Sequence, residues 1–136
     1  PELMAFVADN PPLDQNIHFT GYLPDDALVD LFSATDALVF PSLWEGFGLP
    51  AVEAMSCGVP VLASSLSSLP EVVGDAGLFY DPLDLDDITR TILRFFNEDG
   101  LQAELTAKAL PQAAKFSWER AAELGEQSFL RCISNR

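Results

Sequence analysis

DALVFPSLWEGFGLPAVEAMSCGVPVLAS, residues 36–64, holds two apolar runs separated by a glycine-bearing loop and a helical pattern. Residues 36–42 contain a short continuous apolar run, which fits a strand buried on both faces. Residues 44–48, WEGFG, form the loop. Residues 49–58 read as a helix, with Pro50 near its start and Gly58 just past its end. Residues 59–65, VPVLASS, are a second buried strand. Strand, loop, helix and strand in that order make one α/β unit, and such units build parallel sheets.

The same alternation runs outward in both directions. Upstream, residues 2–8 look like the end of a helix and NPPLDQ (10–15) is a turn-rich loop. NIHFTGYL (16–23) has a strand core ending at Gly21, and residues 24–35 read as a helix with Asp25 and Asp26 in its first turn. Downstream, residues 67–77 are a short helix flanked by turns, and LFYDP (78–82) is a last strand. From Leu83 onward the chain is helical. Ile88, Ile92, Leu93 and Phe96 lie at helical spacing, and both Phe95 and Phe96 are expected in the core. A second helical stretch is interrupted by Pro111, and a third starts with Ser117 as N-cap. The expected architecture is an α/β fold whose parallel sheet has strands near 17–21, 37–41, 60–63 and 77–80, followed by a helical tail.

Composition narrows the possible functions. A chain of 136 residues, 49% of them hydrophobic, can bury one sizeable core, and no linker divides it. No apolar run approaches the roughly 20 residues that cross a bilayer. The chain opens at Pro1 without a leader, which reads as a piece of a longer protein. Two cysteines, Cys57 and Cys132, are too few for a disulfide framework and have no zinc spacing, so a cytoplasmic protein is expected. Residues 1–89 carry fifteen acidic and no basic side chains, a balance of −15. Residues 90–136 carry seven basic and six acidic ones, a balance of +1, and the whole chain stands at −14. That distribution excludes a nucleic-acid partner, which would need a basic face. It also means that any diphosphate held by the first two thirds of the chain must be met by backbone amides or by cations from elsewhere.

The carboxyl ends of parallel strands are where ligands collect in such sheets. Gly46 and Gly48 allow the backbone to approach a ligand, and the unbonded amides at the start of the following helix suit an anion. Glu45 lies in the loop, and Glu53, eight positions on, falls near the first turn of the helix. A helix starting near Leu49 puts Glu53 about 6 Å along its axis. Carboxylates are good acceptors for paired hydroxyls. Each acid also has a plain reading: Glu53 as a complement to the helix dipole, Glu45 as an exposed loop acid.

Residues 41–64 resemble the signature of the retaining GT-B glycosyltransferases, family four. The pattern is P-S-x-x-E-G-F-G-L-P-x-x-E-A-M-x-x-G-x-P-V, and its Glu-x7-Glu runs intact from Glu45 to Glu53. HFTGYLPDDAL, SSLPEVVGDAGLFYDP and FSWERAA resemble the family segments before and after it. The resemblance implies a partial C-terminal, nucleotide-sugar-binding domain of a GT-B fold over residues 1–136, with a Rossmann-like sheet and flanking helices. It implies that Glu53 bonds the ribose hydroxyls, that Glu45 contacts the donor sugar, and that the amides of Gly46, Phe47, Gly48 and Leu49 meet sugar and phosphate. Gly21, Tyr22 and Leu23 would lie beside the base. The donor would be a UDP-, GDP- or ADP-sugar, with neither metal nor cofactor, and transfer would retain anomeric configuration. The family's opening strands, the basic pair for the diphosphate and the amino-terminal acceptor domain do not occur in the chain, so the piece alone is expected to be inactive. The acceptor is not implied, and the full-length enzyme could sit at a membrane surface. Two other readings stand beside this one: a sugar-nucleotide epimerase of similar architecture, against which the intact motif argues, and a nucleotide-binding module without catalysis.

Other residues read as structural. His18 belongs to a strand surface, and Asp25, Asp26 and Asp30 to a solvated helix face. Asp81, Asp84, Asp86 and Asp87 lack the calcium-loop pattern and its glycine.

Overall fold

The computed structural model describes residues 2–134. The chain falls into two compact units, Pro1–Asp30 and Leu31–Arg136. The first holds α1 (Glu2–Ala8), α2 (Pro11–Asp14) and the start of α3 (Asp25–Ser33). The second holds β1 (Leu38–Phe40), α4 (Leu49–Ser56), β2 (Val61–Ser64), α5 (Leu69–Val73), a 3₁₀ turn (Gly74–Ala76), β3 (Gly77–Tyr80), α6 (Leu85–Asn97), α7 (Leu101–Ala113) and α8 (Trp118–Ser134).

The sheet is parallel, in the order β1-β2-β3. Leu38 pairs with Val61 and Phe40 with Ala63, while Val61 pairs with Gly77 and Ser64 with Tyr80. The β2–β3 approach needs a glycine, because a Cβ on Gly77 would lie 2.0 Å from the Val61 carbonyl oxygen. All four β2 residues are buried, as expected of a central strand covered on both faces. Leu62 and Tyr80 join Phe95, Leu101 and Leu105 in one cluster, with Leu78, Ile88 and Ile92 packed against it. Side chains alternate across a strand, so Val61 and Ala63 point to the opposite face, where they too are fully buried. The Tyr80 hydroxyl donates to the Leu62 carbonyl at 3.2 Å. Burial pushes its phenol up to about 12, with a backbone hydrogen bond at Phe40 acting the other way.

The helices follow their sequence signals. Asp84 caps α6, its carboxylate accepting from the amides of Asp86 (2.9 Å) and Asp87 (3.1 Å). Ser117 caps α8 by accepting from the Arg120 amide at 3.1 Å. Asp87 accepts from the Asp81 amide and pairs with Arg90, so this acidic group serves a helix start rather than an ion.

Five expectations need correction. Residues 17–21 form no strand: Ile17 and Phe19, 40% and 46% exposed, have the alternation but no paired neighbour. Residues 11–14 are a short helix instead of loop, with prolines at its first positions, where a missing N–H costs nothing. β1 is not buried on both faces, for Val39 is 41% exposed on this edge strand. Phe96 is 58% exposed, because the buried row of α6 is Ile88, Thr91, Ile92 and Phe95 and a one-residue step turns Phe96 away. Pro111 does not interrupt α7; it sits in the last turn, where only one backbone bond is lost. No helix among the described residues is long and apolar enough to cross a membrane.

Candidate functional site

The carboxyl ends of the three strands, Phe40, Ser64 and Tyr80, share one edge of the sheet. Tyr80 and Ser64 fix the start of the loop after β2: the Ser65 amide donates to the Tyr80 carbonyl at 2.8 Å, and the Leu66 amide to Ser64 Oγ at 3.1 Å. That loop in turn holds the loop after β1. Ser67 Oγ donates to the Glu45 carbonyl at 2.6 Å and accepts from the Glu45 amide at 3.2 Å. Ser68 Oγ contacts the carbonyls of Glu45 (3.2 Å) and Phe47 (2.9 Å).

Gly48 ends the loop and starts α4. It has φ 99°, and a Cβ there would meet Leu69 Cδ2 at 2.7 Å, with Leu69 fully buried. Only glycine satisfies both constraints. Beyond it, the Ala51 amide donates to the Gly48 carbonyl at 3.0 Å. Among the described residues no acceptor meets the amides of Gly46, Phe47, Gly48 or Leu49. These donors stand at the positive end of an eight-residue helix.

Glu45 and Glu53 flank these amides. Neither carboxylate has a hydrogen-bond or ion-pair partner among the described residues. Glu53 is exposed and lies in the second turn of α4, whose first turn holds no acid. The dipole effect fades beyond the first turn, so complementing the dipole accounts poorly for Glu53. Gly21, Tyr22 and Leu23 belong to the first unit; Gly21 has φ 63° and Tyr22 is 91% exposed.

Two features were not read from the sequence. The first is the serine pair, which the sequence reading places inside the short helix of residues 67–77, whereas α5 begins at Leu69; its one visible signal is two adjacent hydroxyls directly after the loop of a buried strand. The second is a pair of cations. Lys115 and Arg120, from the turn after α7 and from α8, line a cavity of about 620 Å³ together with Phe47, Leu49 and Val52, so basic residues of the last third of the chain lie beside the loop. Lys115 bonds Gln112 Oε1, and Arg120 pairs with Glu123 at 3.3 Å. Phe47 and Phe116, both lining it, meet edge to face with centroids 5.4 Å apart.

A parallel α/β sheet with flanking helices is the architecture that the resemblance to GT-B enzymes implies. The family model described as glycosyl transferases group 1 matches residues 6–112, and the chain belongs to that family. It is 53% identical over 103 residues to the O-antigen chain mannosyltransferase B of Escherichia coli, covering 76% of this chain and 27% of that protein. It is 44% identical over 117 residues to the serotype-specific mannosyltransferase WbdA of Escherichia coli, covering 86% of this chain and 14% of that one. Among solved structures it matches the sucrose-phosphate synthase of Thermosynechococcus elongatus with TM-score 0.81 and 27% identity, over 98% of this chain and 34% of that one. The chain thus spans about a quarter of the first relative and about a seventh of the second.

Proposed function

We propose that residues 1–136 are the nucleotide-sugar-binding domain of a larger glycosyltransferase that moves a hexosyl group with retention of anomeric configuration. The observation that carries this reading is the pair of unpartnered carboxylates, Glu45 and Glu53, on either side of four unbonded amides at the start of α4. Such amides suit a diphosphate, and carboxylates suit the hydroxyls at its two ends. Glu53 bonds the ribose. Glu45 contacts the sugar at the reacting centre, where charge changes as the bond to the diphosphate breaks. Gly46, Phe47, Gly48 and Leu49 hold sugar and phosphate.

The names of the two relatives, both mannosyltransferases, support a nucleoside diphosphate mannose as donor. No metal or cofactor is assigned to the reaction. The acceptor is bound by the rest of the longer protein, so this chain alone transfers nothing. The thiols of Cys57 and Cys132 are unpaired, which suits the cytoplasm.

Calorimetric titration of the full-length protein with GDP-mannose, UDP-glucose and ADP-glucose tests this. Saturable binding of one of them is expected, weakened about tenfold or more by Glu53→Ala. A folded full-length protein that binds none of the three, nor their nucleoside diphosphates, would contradict the proposal.

A further inference from the structure

We propose that Ser67 and Ser68 are positioning residues for sugar transfer, holding the backbone of Glu45 so that its carboxylate and the adjoining amides face the donor. The inference rests on the role given to Glu45 above. That carboxylate has no partner of its own among the described residues, so the structure positions it only through the backbone from which the side chain springs. The backbone of Glu45 is gripped at both ends of the residue, its amide and its carbonyl each bonded to Ser67 Oγ, with Ser68 Oγ as a second donor to the carbonyl. These bonds join residues 22 and 23 apart in the chain, so nothing local replaces them.

The same bonds orient two amides. A trans peptide is planar, with its C=O and N–H pointing in opposite directions. Drawing the carbonyls of Glu45 and Phe47 toward the serines therefore turns the N–H groups of Gly46 and Gly48 away from them. Both amides are among the four with no acceptor. One clamp thus sets the acid and two donors together.

The backbone of Ser67 strengthens the case. Its φ is 60°, and it is the sole non-glycine with positive φ among the described residues. Side-chain residues visit that region rarely. A glycine would adopt it without strain but would bring no hydroxyl. Here the hydroxyl bonds are made from a backbone position that opposes a side chain, and the next residues continue the grip: Leu69 closes against Gly48.

Because glycine suits this backbone, Ser67→Gly removes the hydroxyl without forcing the fold. The test is steady-state transfer by the full-length enzyme carrying Ser67→Gly with Ser68→Ala, alone and in a Glu45→Gln background, beside nucleoside diphosphate affinity and melting temperature. The serine changes should lower kcat about tenfold and weaken nucleoside diphosphate affinity about threefold through the freed amides, and in the Glu45→Gln background the further fall in kcat should be no more than about threefold. A loss by the same factor in both backgrounds would mean a structural role only and would overturn the proposal. So would an unchanged kcat in an enzyme that Glu45→Gln does slow. If Glu45→Gln itself leaves kcat unchanged, the role of Glu45 fails first, and the clamp falls with it.

Discussion

The loop of residues 41–48 and the helix α4 that follows it carry one acid each, but their backbones are held by different means. In α4 the ladder is local: Ala51 bonds back to Gly48, Cys57 to Glu53, and Ser56 Oγ to the Val52 carbonyl at 2.8 Å. In the loop the grip on Glu45 comes from Ser67 and Ser68, which are themselves set by Ser64 and Tyr80 on the next two strands. Glu53 is therefore placed by sequence-local structure, and Glu45 by the packing of three strands. Changes far away in sequence should disturb Glu45 and spare Glu53.

The largest effect is expected where the two regions join. Gly48→Ala adds a Cβ 2.7 Å from Leu69 Cδ2 at φ 99°. Backbone strain and overpacking together should cost about 2–4 kcal/mol, read as a clear fall in the melting temperature of the full-length protein. Next comes the support of α5, the helix that starts directly after the serines. Gln112 is buried and its Nε2 donates to the Val72 carbonyl at 2.8 Å. Gln112→Leu leaves that carbonyl unsatisfied and should cost about 1–3 kcal/mol, lowering the melting temperature while sparing the α4 ladder. A match to the wild-type curve would separate α5 from the loop it is said to support.

Alkaline pH probes the same chain of contacts through Tyr80. Burial holds its phenol protonated and raises its pKa to about 12, above the ordinary tyrosine value near 10. An unfolded tyrosine loses its proton first, so stability from this group is complete below pH 10 and falls as pH rises from 10 through 12. Melting temperatures across pH 8–12 should show that loss, and Tyr80→Phe should remove part of it. The smallest effect belongs to α4: Ser56→Ala removes one exposed bond within a single turn and should change stability by no more than about 0.5 kcal/mol. A large effect there would break the distinction between a local helix and a clamped loop.

This division also explains what could be read from the sequence. α4, β2 and β3 were legible because apolar runs, Pro50 and Gly58 act within a few residues. The acids were legible because they share one motif with that helix. Ser67 and Ser68 were not, since a hydrogen bond across 22 residues leaves no spacing signal. Lys115 and Arg120 were missed for the same reason: they belong to the helical tail, and only folding brings them to the cavity beside Phe47. The strand expected over 17–21 failed differently. Its alternation was real, but a strand exists only with a neighbour to pair with, and alternation does not supply one. Phe95 and Phe96 show the limit of counting aromatic residues, since one step around a helix separates the core from solvent.

The proposed roles of Glu45 and Glu53 differ, and the split between binding and turnover in the full-length enzyme separates them. Glu53→Ala should weaken nucleoside diphosphate binding about tenfold or more, as expected from losing a hydrogen bond to a charged group. Glu45→Ala should bind the same ligand as the wild type does, within about threefold, and turn over far more slowly at saturating donor. The opposite pattern, with Glu45→Ala losing nucleotide affinity and keeping its turnover rate while Glu53→Ala binds normally, would contradict the account.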